Sequence, residues 1–172
     1  GTVSNSQKVS DTQGNLSYSL DNDDHFGFTV SSGFDIDGDG ILDVSSGSDG
    51  GDDAGSNRGE GYVLFMNSNG TVREYLAISQ LQGNFNTVLD DNDLFGRSSA
   101  LIGDLDSDGF IDVAFGADAD DNGGVDQGGF YIIHLDTTPP VLNTNADTTI
   151  CEAVPVQLVV SGANTYVWDN GN

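Results

Sequence analysis

Positive charge is almost missing from this chain: four Lys and Arg stand against 28 Asp and Glu, a formal net charge of −24 over 172 residues. Such a field repels phosphate backbones and anionic membrane surfaces, which argues against nucleic acid as a partner. Cysteine is nearly absent too. Cys151 stands alone, so no disulfide forms within the chain, and no Cys/His set has the spacing of a zinc finger. Three prolines leave no proline-rich linker. There is no run of 18 apolar residues, so no membrane helix is expected. The first residues lack the basic and apolar regions of a signal peptide; any targeting segment is expected upstream, because the chain opens in the middle of a repeat.

Glycine, by contrast, is abundant, at 24 residues, roughly twice the usual share of ~7%. A turn-rich chain poor in helix formers reads as all-β, and this length suits one domain, or one domain and part of another. The acidity has two compatible meanings: a solvated, self-repelling surface suited to a salty medium, and cation binding. Eight of the 28 acids lie in "DIDGDGILD" (35–43) and "DLDSDGFID" (104–112). The other 20 need only the solvated surface.

These two stretches are 69 residues apart, and the same offset aligns much more. "GTV" at 1–3 falls on "GTV" at 70–72, "QGN" at 13–15 on "QGN" at 82–84, "FG" at 26–27 on "FG" at 95–96, and Tyr62 on Tyr131. Residues 1–69 and 70–138 are therefore two copies of one unit, the signature of an architecture whose units bury their apolar faces against neighbours. Short apolar bursts between turn clusters predict strands near 26–32, 42–47, 61–66 and 71–79 in the first copy. In the second copy they fall near 95–101, 111–116 and 130–135. "NSNG" at 67–70 predicts a tight hairpin. Four antiparallel strands in 69 residues is the size of a β-propeller blade, with the aspartate loop joining its first two strands.

By the same alignment, residues 2–10 correspond to the outer strand of a preceding blade. The second copy stops after three strands, at Leu135, where "DTTPPV" ends the pairing because Pro139 and Pro140 donate no ladder hydrogen bond. The N-terminal strand is thus the piece that the last blade lacks, although two blades cannot close a ring alone. Such a chain is expected to be a fragment of a longer protein, or to associate head to tail. From 139 the period is lost; a linker leads into 141–172, whose alternating "VPVQLVV" and "TYVW" predict the start of a β-sandwich cut short at Asn172, with Trp168 in its core.

Numbered from Asp35, the first loop has carboxylates at positions 1, 3, 5 and 9 and glycine at 6. Four carboxylates about 4 to 5 Å apart repel by about 4 kcal/mol per adjacent pair at an effective dielectric near 20, so a cation is needed to steady them. Crowded hard oxygens on a tight turn favour Ca²⁺, which takes six to eight, over Mg²⁺, which demands a smaller octahedron. The expected ligands are Asp35, Asp37, Asp39, the carbonyl of Ile41 and Asp43, with Gly40 allowing the sharp turn. In the second loop they are Asp104, Asp106, Asp108, the carbonyl of Phe110 and Asp112, with Gly109 at the turn. An EF-hand shares the early spacing but requires Glu at position 12 and flanking helices. Position 12 here is Ser46 or Phe115, and both flanks read as strands.

The paired "FG", the D-x-D-x-D-G-x-x-D loops, and "GSD" at 47–49 and "GAD" at 116–118 together resemble the FG-GAP repeat of integrin α-chain β-propellers and of many bacterial surface proteins, over residues 1–138. That family has Gly-Ala-Pro where this chain has GSD and GAD. The resemblance implies a propeller, commonly of seven blades, with structural Ca²⁺ in loops on one face and partner-binding loops usually on the other. The C-terminal piece more loosely resembles Ig-like modules of secreted bacterial proteins, which implies an oxidising compartment and a partner for Cys151 beyond Asn172.

The expected function is that of a non-catalytic, extracellular or cell-surface calcium-binding module for adhesion or for recognition of a protein or glycan. The alternative is an accessory propeller of a secreted hydrolase or lyase whose catalytic domain lies elsewhere. No catalytic constellation is evident: His25 and His134 are isolated, and no Gly-x-Ser-x-Gly elbow occurs. His134, at an alternating strand position, reads as a satisfied, half-buried histidine, and His25 as solvated. A sugar site on Tyr62, Tyr131 or Trp168 is the weaker reading, since strand aromatics are more often core. The acidic turns "LDNDDHFG", "LDDNDLFG", "DGGDD" and "DADDN" read as ordinary β turns before further cation sites.

Overall fold

Seven strands and no helix make up residues 1–136, the part of the chain that the computed structural model describes. They are β1 (Thr29–Ser32), β2 (Val44–Ser48), β3 (Glu60–Met66), β4 (Val72–Ile78), β5 (Phe95–Gly103), β6 (Asp112–Ala117) and β7 (Gly129–Ile133). Two antiparallel sheets result, one in the order β1-β2-β3-β4 and one in the order β5-β6-β7. Every strand predicted inside the two copies is present, shifted by a few residues at its ends. The outer strand expected at 2–10 is not formed: residues 1–9 have no regular structure, and a single bridge pairs Ser10 with Gln13. A strand needs a ladder partner, and this segment pairs with none of the described strands, although β4 and β7 each lie at the edge of a sheet. The expected sandwich start, Cys151 and Trp168 lie outside the described residues.

Within the unit Gly1–Asp136, the two faces of the first sheet are buried differently. Alternation along β3 points Val63 and Phe65 one way, into a core shared with Phe95, Leu101, Val113 and Phe115 of the second sheet. Tyr62 and Leu64 point the other way, into a cluster covered by Val9, Leu16, Tyr18, Leu20 and Phe26. This is why "YVLFM" reads as an unbroken apolar run: a strand buried on both faces loses the polar half of its alternation. The fully buried Phe95 and Phe115 each contribute about 1.5 to 3 kcal/mol of burial. In the second sheet, β7 buries only one side; Tyr131 and Ile133 pack on the core, while Phe130 is 71% and Ile132 42% exposed.

The first strands of the two sheets lie beside each other. Ser99 donates its N–H to Thr29 Oγ1 at 3.1 Å, and Leu101 donates to Ser31 Oγ at 3.3 Å, each pair 70 positions apart. The Phe-Gly pair sits at this junction. Phe95 is fully buried and takes a parallel bridge with Gly59. Gly96 has φ +87°, and a Cβ there would stand 2.0 Å from the carbonyl oxygen of Glu60, so only glycine fits.

Candidate cation-binding loops

Each aspartate loop joins the first two strands of its sheet, 33–43 between β1 and β2 and 104–111 between β5 and β6. In the first, Asp35 collects the loop's backbone: Oδ1 accepts the N–H groups of Gly38 (2.8 Å) and Asp39 (3.0 Å), and Oδ2 that of Gly40 (2.8 Å). Asp37 also accepts from Asp39, at 3.2 Å, and Asp39 accepts the N–H of Ile41 at 2.8 Å. The second loop repeats this nearly bond for bond: Asp104 accepts from Asp108 (3.1 Å) and Gly109 (3.0 Å), Asp106 from Asp108 (3.3 Å), and Asp108 from Phe110 (2.8 Å). Gly40 and Gly109, at φ +89° and +97°, permit the curl, as their position in the pattern requires.

The curl brings three carboxylates together in each copy. Ligand oxygens of Asp35, Asp37 and Asp39 lie within 4.8 Å of one another, as do those of Asp104, Asp106 and Asp108. All six are hard oxygen donors, the class that suits Ca²⁺. The position-9 aspartates, expected to close the shell, are stationed differently. Asp43 is 1% and Asp112 0% exposed, and each staples the loop to the third strand of its sheet or the residues following it. Asp43 accepts the N–H groups of Ile36 (2.8 Å) and Met66 (2.9 Å); Asp112 accepts those of Leu105 (2.8 Å) and Leu135 (3.3 Å). Burial pushes the Asp43 carboxyl up, against the pull of its two N–H donors. Neither staple belongs to the carboxylate trio of its loop, although each oxygen keeps a further lone pair. Ile41 and Phe110, expected to offer carbonyls, are placed through their own N–H groups, donated to Asp39 and Asp108.

Two neighbours of these loops went unforeseen in the sequence. Arg73 on β4 pairs with both Asp37 and Asp39, so the first loop carries its own cationic partner; the position 69 further on is Leu142. At the second loop, His134 Nδ1 stands 3.4 Å from Asp106 Oδ2 and 3.3 Å from Asp112 Oδ2. Its counterpart in the first copy is the buried Phe65. Neither neighbour could be read from the loop itself, because each arrives from a segment more than 20 residues later, Arg73 on β4 and His134 just after β7.

In the remaining acidic turns, the buried aspartates hold backbone N–H groups of the turn. Asp24 and Asp93, both buried, accept the N–H groups of Asp21 and Asp90, each at 2.7 Å, and burial raises both carboxyls. His25 is exposed, as expected, its side chain 58% open to solvent, and its Nδ1 also lies 3.0 Å from Asp49 Oδ1. Beneath Tyr62, the 2%-exposed Glu60 accepts from the Tyr62 hydroxyl and, at 3.1 Å, from that of Tyr18. Burial raises the Glu60 carboxyl to about 7, opposed by the Tyr62 hydrogen bond and reinforced by Asp53. In the second copy the Tyr131 hydroxyl meets Asp120 instead. Gly129 stands at the position of Glu60, and Asp120 at that of Gly51, so the carboxylate under the tyrosine comes from opposite sides of the turn in the two copies.

Neither a family model nor a curated protein matches the chain. Among the described residues, no helix is long and apolar enough to cross a membrane.

Proposed function

We propose that the chain is a non-catalytic, extracellular calcium-binding β-propeller module serving adhesion or recognition of a protein or glycan, with residues 1–138 as two blades of the FG-GAP type. The observation that carries this is the recurrence of one aspartate loop in two sheets, with the same carboxylates gathering the same backbone N–H groups. Support for adjacent blades comes from the side-by-side placement of β1 and β5. Ca²⁺ in such loops would be held by Asp35, Asp37 and Asp39 with the Ile41 carbonyl, and by Asp104, Asp106 and Asp108 with the Phe110 carbonyl. Asp43 and Asp112 hold the floor of each loop and have lone pairs to contribute. The ion supplies charge neutralisation and stiffens the turn between strands. Further blades come from a longer chain or from a second copy, and would cover Phe130 and Ile132.

The test is a melting-temperature scan in chelator, then with added Ca²⁺. For affinities of roughly 10⁻⁴ to 10⁻³ M, the range of extracellular modules, Ca²⁺ at 100 times Kd adds about 2.7 kcal/mol per site, a rise of several degrees. Because Ca²⁺ must displace Arg73 from Asp37 and Asp39, the second loop fills first. An unchanged melting temperature refutes the calcium assignment.

A further inference from the structure

We propose that Asp106, Asp112 and His134 form a second kind of metal site, one for a borderline divalent transition metal such as Zn²⁺, at the edge of the 104–112 loop only. It rests on the calcium reading only in treating 104–112 as a cation loop, since its donor set is different. One imidazole nitrogen and two carboxylate oxygens lie within 4.8 Å of one another. Imidazole is a ligand for zinc-like ions and is foreign to the oxygen shell of Ca²⁺.

The spacing supports the same class of ion. Bonds of about 2.0 to 2.1 Å in a tetrahedron put neighbouring ligand atoms about 3.3 to 3.4 Å apart. The two separations from His134 Nδ1 are 3.3 Å to Asp112 and 3.4 Å to Asp106. The site is also anchored: Asp112 is fully buried and fixed by the N–H groups of Leu105 and Leu135, and His134, the first residue after β7, directly precedes Leu135. The His134 side chain is 43% and that of Asp106 40% exposed, which leaves an approach for the ion and room for water as its remaining ligand. The first loop cannot do this, because Phe65 replaces the histidine and Arg73 engages Asp37. Asp106 belongs to both the calcium trio and the zinc trio, so the two ions share a ligand and each weakens the other's binding.

The competing account is an ordinary ion pair between His134 and the two aspartates. Calorimetric titration of Zn²⁺ into the full chain carrying Cys151→Ser, with and without Ca²⁺, separates the two. One Zn²⁺ is expected per chain, with a shift of the His134 imidazole resonances and not of those of His25. His134→Phe, which installs the first copy's residue, should weaken Zn²⁺ at least tenfold, since even outer-shell changes cost about 10- to 100-fold, while leaving Ca²⁺ binding in place. If circular dichroism shows that variant misfolded, His134→Asn gives the same readout. Zn²⁺ binding that depends on His134 in a chain that fails to bind Ca²⁺ upholds this site and refutes the calcium assignment alone. No Zn²⁺ binding by the parent, or equal binding by the His134 variants, overturns the site.

Discussion

Replacing Glu60 with glutamine removes one buried ionisation while keeping the size of the side chain and an acceptor for the Tyr62 and Tyr18 hydroxyls. In the native protein, burial raises this carboxyl from its ordinary 4.5 to about 7. Between those values the unfolded chain has released a proton that the native state retains, so native stability falls as pH rises and the loss is complete above about 7. The difference, 7 − 4.5, corresponds at 1.36 kcal/mol per unit to about 3 kcal/mol. Glu60→Gln escapes this loss. Urea unfolding of both proteins at fixed salt, from about pH 4 to about pH 8, should show a stability gap that opens in favour of the variant across that window and then levels off. Taking the gap cancels the pH dependence common to both proteins, including the repulsion of a −24 chain and the raised carboxyls of Asp24, Asp43 and Asp93. A gap that is constant with pH, or that widens toward acid, refutes the reasoning.

Asp43→Ala strands the buried N–H groups of Ile36 and Met66 and should cost about 2 to 5 kcal/mol, measured by chemical denaturation in chelator so that no metal contributes; Asn at the same position should recover part of it. A loss below about 1 kcal/mol would show that water satisfies both donors. Gly96→Ala meets both a positive φ and the Glu60 carbonyl, and should lower stability by at least about 2 kcal/mol. Gly38→Ala, with φ +76° but nothing within 4 Å of the added carbon, should cost less when both glycine variants are compared by thermal melting.

The strands inside the repeats were legible because their apolar runs are local, and because two copies of each pattern separate signal from chance. The position of the aspartate loops was legible for the same reason: the glycine at position 6 and the spacing of the acids dictate the curl within nine residues. What the position-9 aspartates do was not legible. The partners of Asp43 are one N–H inside the loop and another on Met66, 23 residues later, and no local pattern indicates which strand will pass overhead. Arg73 and His134 escaped notice for the same physical reason, arriving at the loops through strand pairing. The strand expected at 2–10 failed because alignment with a copy transfers a sequence pattern and not the edge on which a strand must pair.

The exchange of carboxylates beneath Tyr62 and Tyr131 limits how such units can be recombined. In the first copy Glu60 leans over Gly51, where an added Cβ would lie 2.6 Å from its Cγ; in the second, Asp120 reaches the tyrosine past Gly129. A chimaera joined between these two positions inherits either two acids under one hydroxyl or none. The first crowds two buried negative charges, and the second leaves the hydroxyl without its acceptor. Viable crossovers therefore fall outside the turn between the second and third strands of a unit, and a repeat that looks freely interchangeable by its period is divisible only at certain seams.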